Sequence, residues 1–510
     1  MKTSNALHEL ILSLSASEKR YFKIFASRHS QRGKNNYMII FDLVGGQGVY
    51  DEVEVLAALP NDKLRRQFAV MKNYLYKLIL KSLRNFYAEQ SIDFQLKELL
   101  MNVEILLKKG LERQSLRQLQ KARKLALESE KYEYLLEVAA LRLSLVTKVG
   151  EGNLDRLEHE IEDIFSETSL FFERYLKIQA YRKLSLQMLV LSRRAQHART
   201  ATVRKAYQKV IQAPIMENFD PQFSIRATQF YLQCQFVYHY AFGNYQESYE
   251  YAEKIVEHME ANPHLVAERP ENYGHSMQNL VMISTVCCSP EDSLKLIERL
   301  KGFANRIPGQ RFEPFIHRQV MLFAYNLEMH LLMENGKMGA AVELLSGVHE
   351  LLDQHGYQFN VNEGYILVDF YFQIARLYLW KGDHEQAMNF VKRVLNEKGV
   401  GAEYEVYLNA RTLQVLILFE AGEFQLLEYN LLSLYRFLRK RRKLYRLEKA
   451  LLRFLSKASE APIDKRLLPD FRRLRDELQQ IHEDPEEPFH LRHIDIIAWM
   501  NRMLVAMEMP

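Results

Sequence analysis

Glycine and proline are scarce in this 510-residue chain, at 20 and 13. That shortage excludes an all-β protein, whose many short strands each need turn residues. Only three cysteines occur, Cys234, Cys287 and Cys288. They are too few for a disulfide framework, and the adjacent pair cannot bridge without strain. All three read as reduced thiols in a core. Nowhere do about 18 apolar residues follow one another, the length a membrane-spanning helix needs. The opening stretch is broken by His8, Glu9, Ser13 and Ser15 and lacks the continuous apolar run of a secretory signal, so a cytoplasmic protein is expected.

What the chain does hold is material for a helical core. Apolar residues make up 48% and charged residues 26%, which excludes a disordered chain. A single hydrophobic core stops growing well below this length, whereas a stack of repeats keeps adding units. Internal periodicity is therefore the first thing to look for. Residues 373–395 give the clearest unit: a helix ending in Tyr378, Leu379 and Trp380, a tight turn at Gly382 and Asp383, and a second helix. Residues 242–263 repeat the plan around Gly243.

With the turn glycine as anchor, the fifth residue on is small, and the ninth and twelfth are apolar, spacings that share one face of an α-helix. Gly382 gives Ala387, Val391 and Val394; Gly243 gives Ser248, Ala252 and Ile255; Gly336 gives Ala341, Leu345 and Val348. Gly110 (Ser115, Leu119, Ala122), Gly152 (Leu157, Ile161, Ile164) and Gly422 (Leu427, Leu431, Leu434) follow, the last two with leucine in the small position. Cys288 and, more weakly, Ala198 anchor copies without glycine. A small fifth residue lets the second helix approach the first, while the other two bury against the neighbouring pair.

Successive anchors lie 40 to 48 residues apart, more than the 34 residues of a standard tetratricopeptide repeat (TPR). Over residues 108–438 the copies resemble TPR units with lengthened helices, and the first-helix consensus is kept well only around Ala375 and Tyr378. That resemblance implies an all-α fold, a right-handed α-solenoid of TPR-like helical hairpins, carrying a helical N-terminal domain. It implies little about function.

Three regions follow: a helical bundle at 1–90, repeats at 91–438 and capping helices at 439–510. The first region reads as helices at 4–14, 17–27, 35–44, 51–59 and 64–87, with Ser15 and Ser17 as candidate caps before Glu18. Its last two helices flank a Pro60-Asn61-Asp62 turn, compatible with a helix-turn-helix or winged-helix-like DNA reader and with a plain bundle. The last region reads as a basic helix from 440 to 455, a break at Ala461-Pro462, and helices at 464–482 and 491–507.

No enzymatic motif is present, and no cofactor or metal is expected. Gly45-Gly46-Gln47-Gly48 runs into Val49-Tyr50 and so lacks the Lys-Ser or Lys-Thr of a phosphate loop. Gly274-His275-Ser276-Met277-Gln278 lacks the second glycine and the strand of a nucleophile elbow, and reads as helix. His482, His490 and His493, near Glu486 and Glu487, have no Cys pair or His-Glu-x-x-His spacing beside them, and read as a solvated helix start.

Basic clusters carry more. Arg436, Arg439, Lys440, Arg441, Arg442, Lys443 and Arg446 are interleaved with Tyr435, Phe437 and Tyr445; on one helix Arg439, Arg442 and Arg446 share a face. Such a strip attracts an acidic partner or nucleic-acid phosphates, or simply closes the stack as a solvated face. The first 90 residues hold 14 Lys/Arg against 8 Asp/Glu, while the whole chain carries a net +5. Lys63, Arg65, Arg66 and Lys72 sit where a recognition helix would present them. Phe230, Tyr231, Phe236, Tyr238, Tyr240, Phe242, Tyr245, Tyr249 and Tyr251 crowd one repeat, chiefly as inter-helix core, with some expected to reach an inner wall suited to a peptide or helix.

The reading is a non-enzymatic protein-protein interaction scaffold that binds a protein or peptide in a solenoid groove. The alternative is a transcriptional regulator with an N-terminal DNA-binding domain and a TPR-like sensor domain.

Overall fold

The computed structural model describes residues 5–28, 36–88, 91–149, 154–195, 197–198, 200–306, 313–353, 361–397, 405–441, 444–459, 465–482 and 496–508. Every regular element among them is helical, and no helix among them is long and apolar enough to cross a membrane. The chain divides into two compact units, residues 1–287 with 305–316 and residues 288–304 with 317–510.

The first unit begins with α1 (Ala6–Ser13), α2 (Ala16–Arg28), α3 (Asn36–Gly45), α4 (Glu52–Ala58) and α5 (Asp62–Tyr87). The starts of α2, α4 and α5 have a chemical reason. Ser15 Oγ accepts the amide of Glu18 at 3.2 Å while Glu18 accepts that of Ser15 at 2.7 Å, a reciprocal capping box. Asp51 accepts the amides of Val53 and Glu54, and Asn61 accepts that of Leu64 at 2.9 Å, each satisfying donors that a helix start leaves open. Leu64, Phe68, Met71, Leu75, Leu78 and Ile79 form the buried stripe of α5, and with Leu7, Ile11, Phe22, Ile40, Phe41 and Val44 they make a core of their own.

The unit continues with α6 (Ile92–Lys108), α7 (Glu112–Glu128), α8 (Tyr132–Val149), α9 (Leu154–Arg194), α10 (Ala201–Ile211), α11 (Pro214–Glu217), α12 (Ile225–Phe242), α13 (Tyr245–Ala261), α14 (Pro263–Glu268) and α15 (Pro270–Cys287). Packing follows chain order: α6 on α7, α7 on α8, α8 on α9, α9 on α12, α12 on α13 and α13 on α15.

The second unit takes in most of α16 (Pro290–Arg306) and α17 (Glu313–Glu334). After these come α18 (Met338–Asp353), α19 (Val361–Lys381), α20 (His384–Asn396), α21 (Glu405–Glu420), α22 (Phe424–Lys440), α23 (Arg446–Ala458), a 3-10 turn at Lys465–Leu467, α24 (Leu468–His482) and α25 (Ile496–Glu508). From α19 to α25 each helix again packs on the next.

The repeat is written in its turns. Gly110, Gly243, Gly336, Gly382 and Gly422 are the glycines with positive φ among the described residues, between 71° and 79°, and all five are anchors of the sequence pattern. At each, the glycine amide returns to the carbonyl three residues back and the next amide to the carbonyl five back, as in Gly382 to Leu379 at 3.1 Å and Asp383 to Tyr378 at 3.0 Å. This is the Schellman helix stop, which needs a left-handed residue at that point. The small residue five on is buried at Ser115, Ser248, Ser293, Ala341 and Ala387. Ser115 Oγ donates to the carbonyl of Val103 at 3.1 Å and Ser248 Oγ to that of Phe236 at 3.2 Å, each twelve residues back. Leu427 occupies the equivalent place after Gly422 and is fully buried.

Two departures stand out. Between the anchors 152 and 198, where serial hairpins require a turn, α9 runs unbroken for 41 residues; no glycine or proline interrupts it, so nothing stops the helix. Gly152 itself lies outside the described residues. The expected basic helix from 440 to 455 is two helices: α22 ends at Lys440, and α23 restarts at Arg446 behind Tyr445, whose amide donates to Glu448 Oε2 at 3.1 Å.

Candidate functional site

In the second unit the ends of α17, α19 and α21 and the face of α25 enclose a cleft of about 320 Å³. Each helix gives it one face: Arg376 and Trp380 are four apart on α19, Leu413 and Leu416 three apart on α21, Trp499 and Arg502 three apart on α25, spacings that align side chains on a helix. Met333 and Met338, either side of the Gly336 turn, and Leu379 complete the apolar wall, and Glu334 adds a carboxylate. Both tryptophans of the chain line this one cleft. Trp380 stays 47% exposed, whereas Trp499 is buried.

A buried acid fixes the floor. The Glu420 side chain is only 7% exposed; it accepts a hydrogen bond from Trp499 Nε1 at 2.6 Å, pairs with the Arg502 guanidinium, and lies 3.3 Å from His384 Nε2. Arg502 donates also to the carbonyl of Leu379 at 3.2 Å. Thus α25 is pinned to α19 and α21 by a carboxylate whose charge is compensated, as burial demands. Arg376 donates to Gln373 Oε1 at 2.7 Å, and its guanidinium lies 3.3 Å from His330 Nδ1.

The expected basic strip does not lie along one helix. Arg436, Arg439 and Lys440 are exposed at the end of α22, and Arg446 is exposed at the start of α23. The shared face of Arg439, Arg442 and Arg446 is therefore broken by the helix stop between them, and Arg442 and Lys443 lie outside the described residues. Arg441 is half-buried, with its guanidinium 3.9 Å from the centre of the Phe437 ring, and Arg411 contacts the same ring at 4.6 Å, a doubly cationic stack on one aromatic face system. Burial, and then the neighbouring Arg441 charge, push the Arg411 pKa down.

On α5, Lys63 and Arg66 are exposed, but their two companions are engaged within the bundle, Arg65 with its side chain 45% exposed and Lys72 with 14%. Arg65 donates to the carbonyls of Leu56 and Leu59 at 3.0 and 3.1 Å and pairs with Asp62 at 2.9 Å, so it closes the C-terminus of α4. Lys72 pairs with Glu52 at 2.7 Å and sits over the Tyr50 and Phe68 rings. Lys72 is the main reason the Glu52 carboxyl is held below the usual range.

The crowded aromatics are buried or half-buried throughout. Tyr231 stacks on Phe219 at 3.8 Å between ring centres, and Tyr240 meets Tyr245 edge-on at 5.9 Å; they cement α12 to its neighbours rather than facing outward. Cys234 is buried, which pushes its thiol pKa up to about 12, and all three cysteines are free. His275 and Ser276 lie within α15, Gly45 ends α3, and the Gln47 side chain caps the turn against Asp51. Among the described residues no cluster of three metal-ligating side chains forms; Glu486, Glu487, His490 and His493 lie outside them.

No protein-family model matches the chain, and no curated protein matches it either. The cleft is what sequence reasoning missed. Its one linear signal was that the chain's only two tryptophans, 119 residues apart, each fell at an amphipathic helix end.

Proposed function

We propose that this protein is a non-enzymatic interaction module that receives an apolar anchor side chain of a protein or peptide in the cleft walled by Trp380, Met338, Leu379 and Trp499. The observation that carries this is the half-exposed Trp380 beside an apolar wall already fixed from below by Glu420. An aromatic rim over a preformed pocket suits a protein hot spot, because little order has to be created on binding. Arg376 and Glu334 at the edge offer a donor and an acceptor to the main chain or flanking side chains of the ligand.

In this reading the serial hairpins form a right-handed, TPR-like solenoid, and the cleft belongs to the wall built by the first helices of successive repeats. The shared Schellman turns, the buried small residues five positions on and the packing in chain order support it. The role is that of a cytoplasmic scaffold. A DNA-reading regulator is the second reading, favoured by the exposed Lys63 and Arg66, with the engagement of Arg65 by α4 and of Lys72 by Glu52 counting against it.

A peptide-display selection on the full chain tests the first reading. Enriched peptides are expected to share one aromatic or aliphatic anchor and to lose at least tenfold in affinity against Trp380→Ala, about 1.4 kcal/mol or more. Enriched peptides that bind Trp380→Ala as well as wild type overturn it.

A further inference from the structure

The longest helix of the first unit carries an outward face that its own neighbours do not use. Ile164, Phe171, Ile178, Tyr181 and Met188 bury α9 in its unit. One residue further on, about 100° around the helix, Phe165 and Phe172 are 56% and 49% exposed, and Leu176, Leu186 and Val190 are 50%, 52% and 47% exposed. The spacing of Phe165, Phe172, Leu176, Leu186 and Val190 is 7, 4, 10 and 4, which falls on a heptad seam completed by Ser169, Gln179 and Lys183. From Phe165 to Val190 the seam is about 38 Å long.

Charge along the same helix is divided in two. Residues 154–173 hold seven acids and one arginine, and residues 174–194 hold six basic residues and no acid. Asp155, Glu158, Glu162, Asp163 and Glu173 are exposed in the first half, and Arg182, Lys183, Arg193 and Arg194 in the second. Part of this runs with the helix dipole, which favours acids early and bases late. A dipole acts only on the first and last turns, however, and the segregation here reaches the middle of the helix.

We propose that this face binds a second copy of the same chain, α9 against α9, antiparallel. The arrangement is its own complement: an antiparallel pair sets each acidic half on the other's basic half, whereas a parallel pair sets like on like. With Phe165 of one copy level with Val190 of the second copy, Glu173 lies level with Arg182 and Phe172 with the long stem of Lys183. Exposed acids around Glu162 then lie level with Arg193. A two-fold contact of this kind uses one patch twice, as closed dimers do, and its charge pattern selects register and orientation.

Sedimentation equilibrium on the full chain tests this. Wild type is expected to be a dimer at about 100 µM. The variants Arg193→Glu/Arg194→Glu, which place acids at the end of the basic half, and Glu162→Lys/Asp163→Lys, which place bases in the acidic half, are each expected to shift the dissociation constant at least tenfold towards monomer. Mixed in equal amounts they are expected to pair with each other, since both acidic-basic contacts are then restored. All these positions are exposed, so circular dichroism should show unchanged helicity. A wild type that is monomeric at that concentration overturns the proposal, as does a dimer that survives in Phe172→Glu/Leu186→Glu or charge variants that fail to pair on mixing.

Discussion

Glu420 accepts a hydrogen bond from Trp499 Nε1 at 2.6 Å, across 79 residues of chain. The same carboxylate pairs with Arg502 one turn further along α25. The cleft's wall therefore depends on an acid that does not itself line it. Replacing Glu420 by alanine leaves an indole N–H and a guanidinium without their acceptor. The loss is expected to cost about 2 kcal/mol, read as an earlier chemical-denaturation midpoint and as a red-shifted Trp499 emission while α19 keeps its helicity. Glu420→Gln, which can still accept from the indole, should retain part of the stability.

The turn glycines predict a contrast between positions. Gly382 has φ of +76°, so Gly382→Ala forces an L-residue into the left-handed region, at about 1 to 2 kcal/mol. Gly302 lies within α16, and an added Cβ there meets nothing within 4 Å. Gly302→Ala should stabilise by about 0.5 to 1 kcal/mol, through helix propensity and a less free unfolded chain. Thermal unfolding of the two variants should move in opposite directions.

Acid should weaken the first unit through one buried cluster. Lys131 pairs with Asp93 at 3.0 Å and with Glu268, which also pairs with Arg226 at 2.6 Å. Burial alone would raise the carboxyl pKa of Glu268, but the Arg226 and Lys131 charges outweigh it and hold the value below 4.5; burial and Lys131 act in the same way on Asp93. A carboxyl with a depressed folded pKa contributes stability that is complete above its unfolded value and lost as pH falls through the folded one. Urea midpoints should therefore fall steeply below about pH 4.5. Glu268→Gln should be less stable by about 3 kcal/mol at neutral pH and show a shallower acid slope.

The DNA reading separates cleanly on salt. If α5 contacted duplex DNA, affinity of the full chain for random duplex would rise steeply as salt falls, and Lys63→Glu/Arg66→Glu would remove it. The interaction reading expects no such binding. Arg65→Ala is expected to lower stability in either case, because Arg65 closes α4.

Much of the fold was legible because its stops are chemical. Gly110, Gly243, Gly336, Gly382 and Gly422 announce left-handed caps, and the periodic small and apolar residues after them identify the buried face, so the five N-terminal helices and most hairpins could be placed within a few residues. The unbroken α9 was hidden by the regular spacing of the anchors around it, although its lack of glycine and proline was in plain view. The basic run at Arg439 to Arg446 was misread because charge alone does not reveal a helix stop; Tyr445 and Glu448 do so only as a pair. Lys72 and Arg65 looked presentable on a helical wheel, yet Glu52 and the carbonyls of α4 claim them, contacts that exist only once α4 folds back. The cleft was least legible, since α25 joins it from more than 80 residues beyond α21's face.

Tryptophan fluorescence, excited selectively over tyrosine, gives the most direct test, because both tryptophans of the chain border the cleft. A display-selected peptide without tryptophan, titrated into the full chain, should shift the emission saturably with the same dissociation constant that calorimetry reports, and Trp380→Ala should abolish most of the change and weaken binding. Tight binding by calorimetry with emission unmoved would place the partner elsewhere and contradict the account.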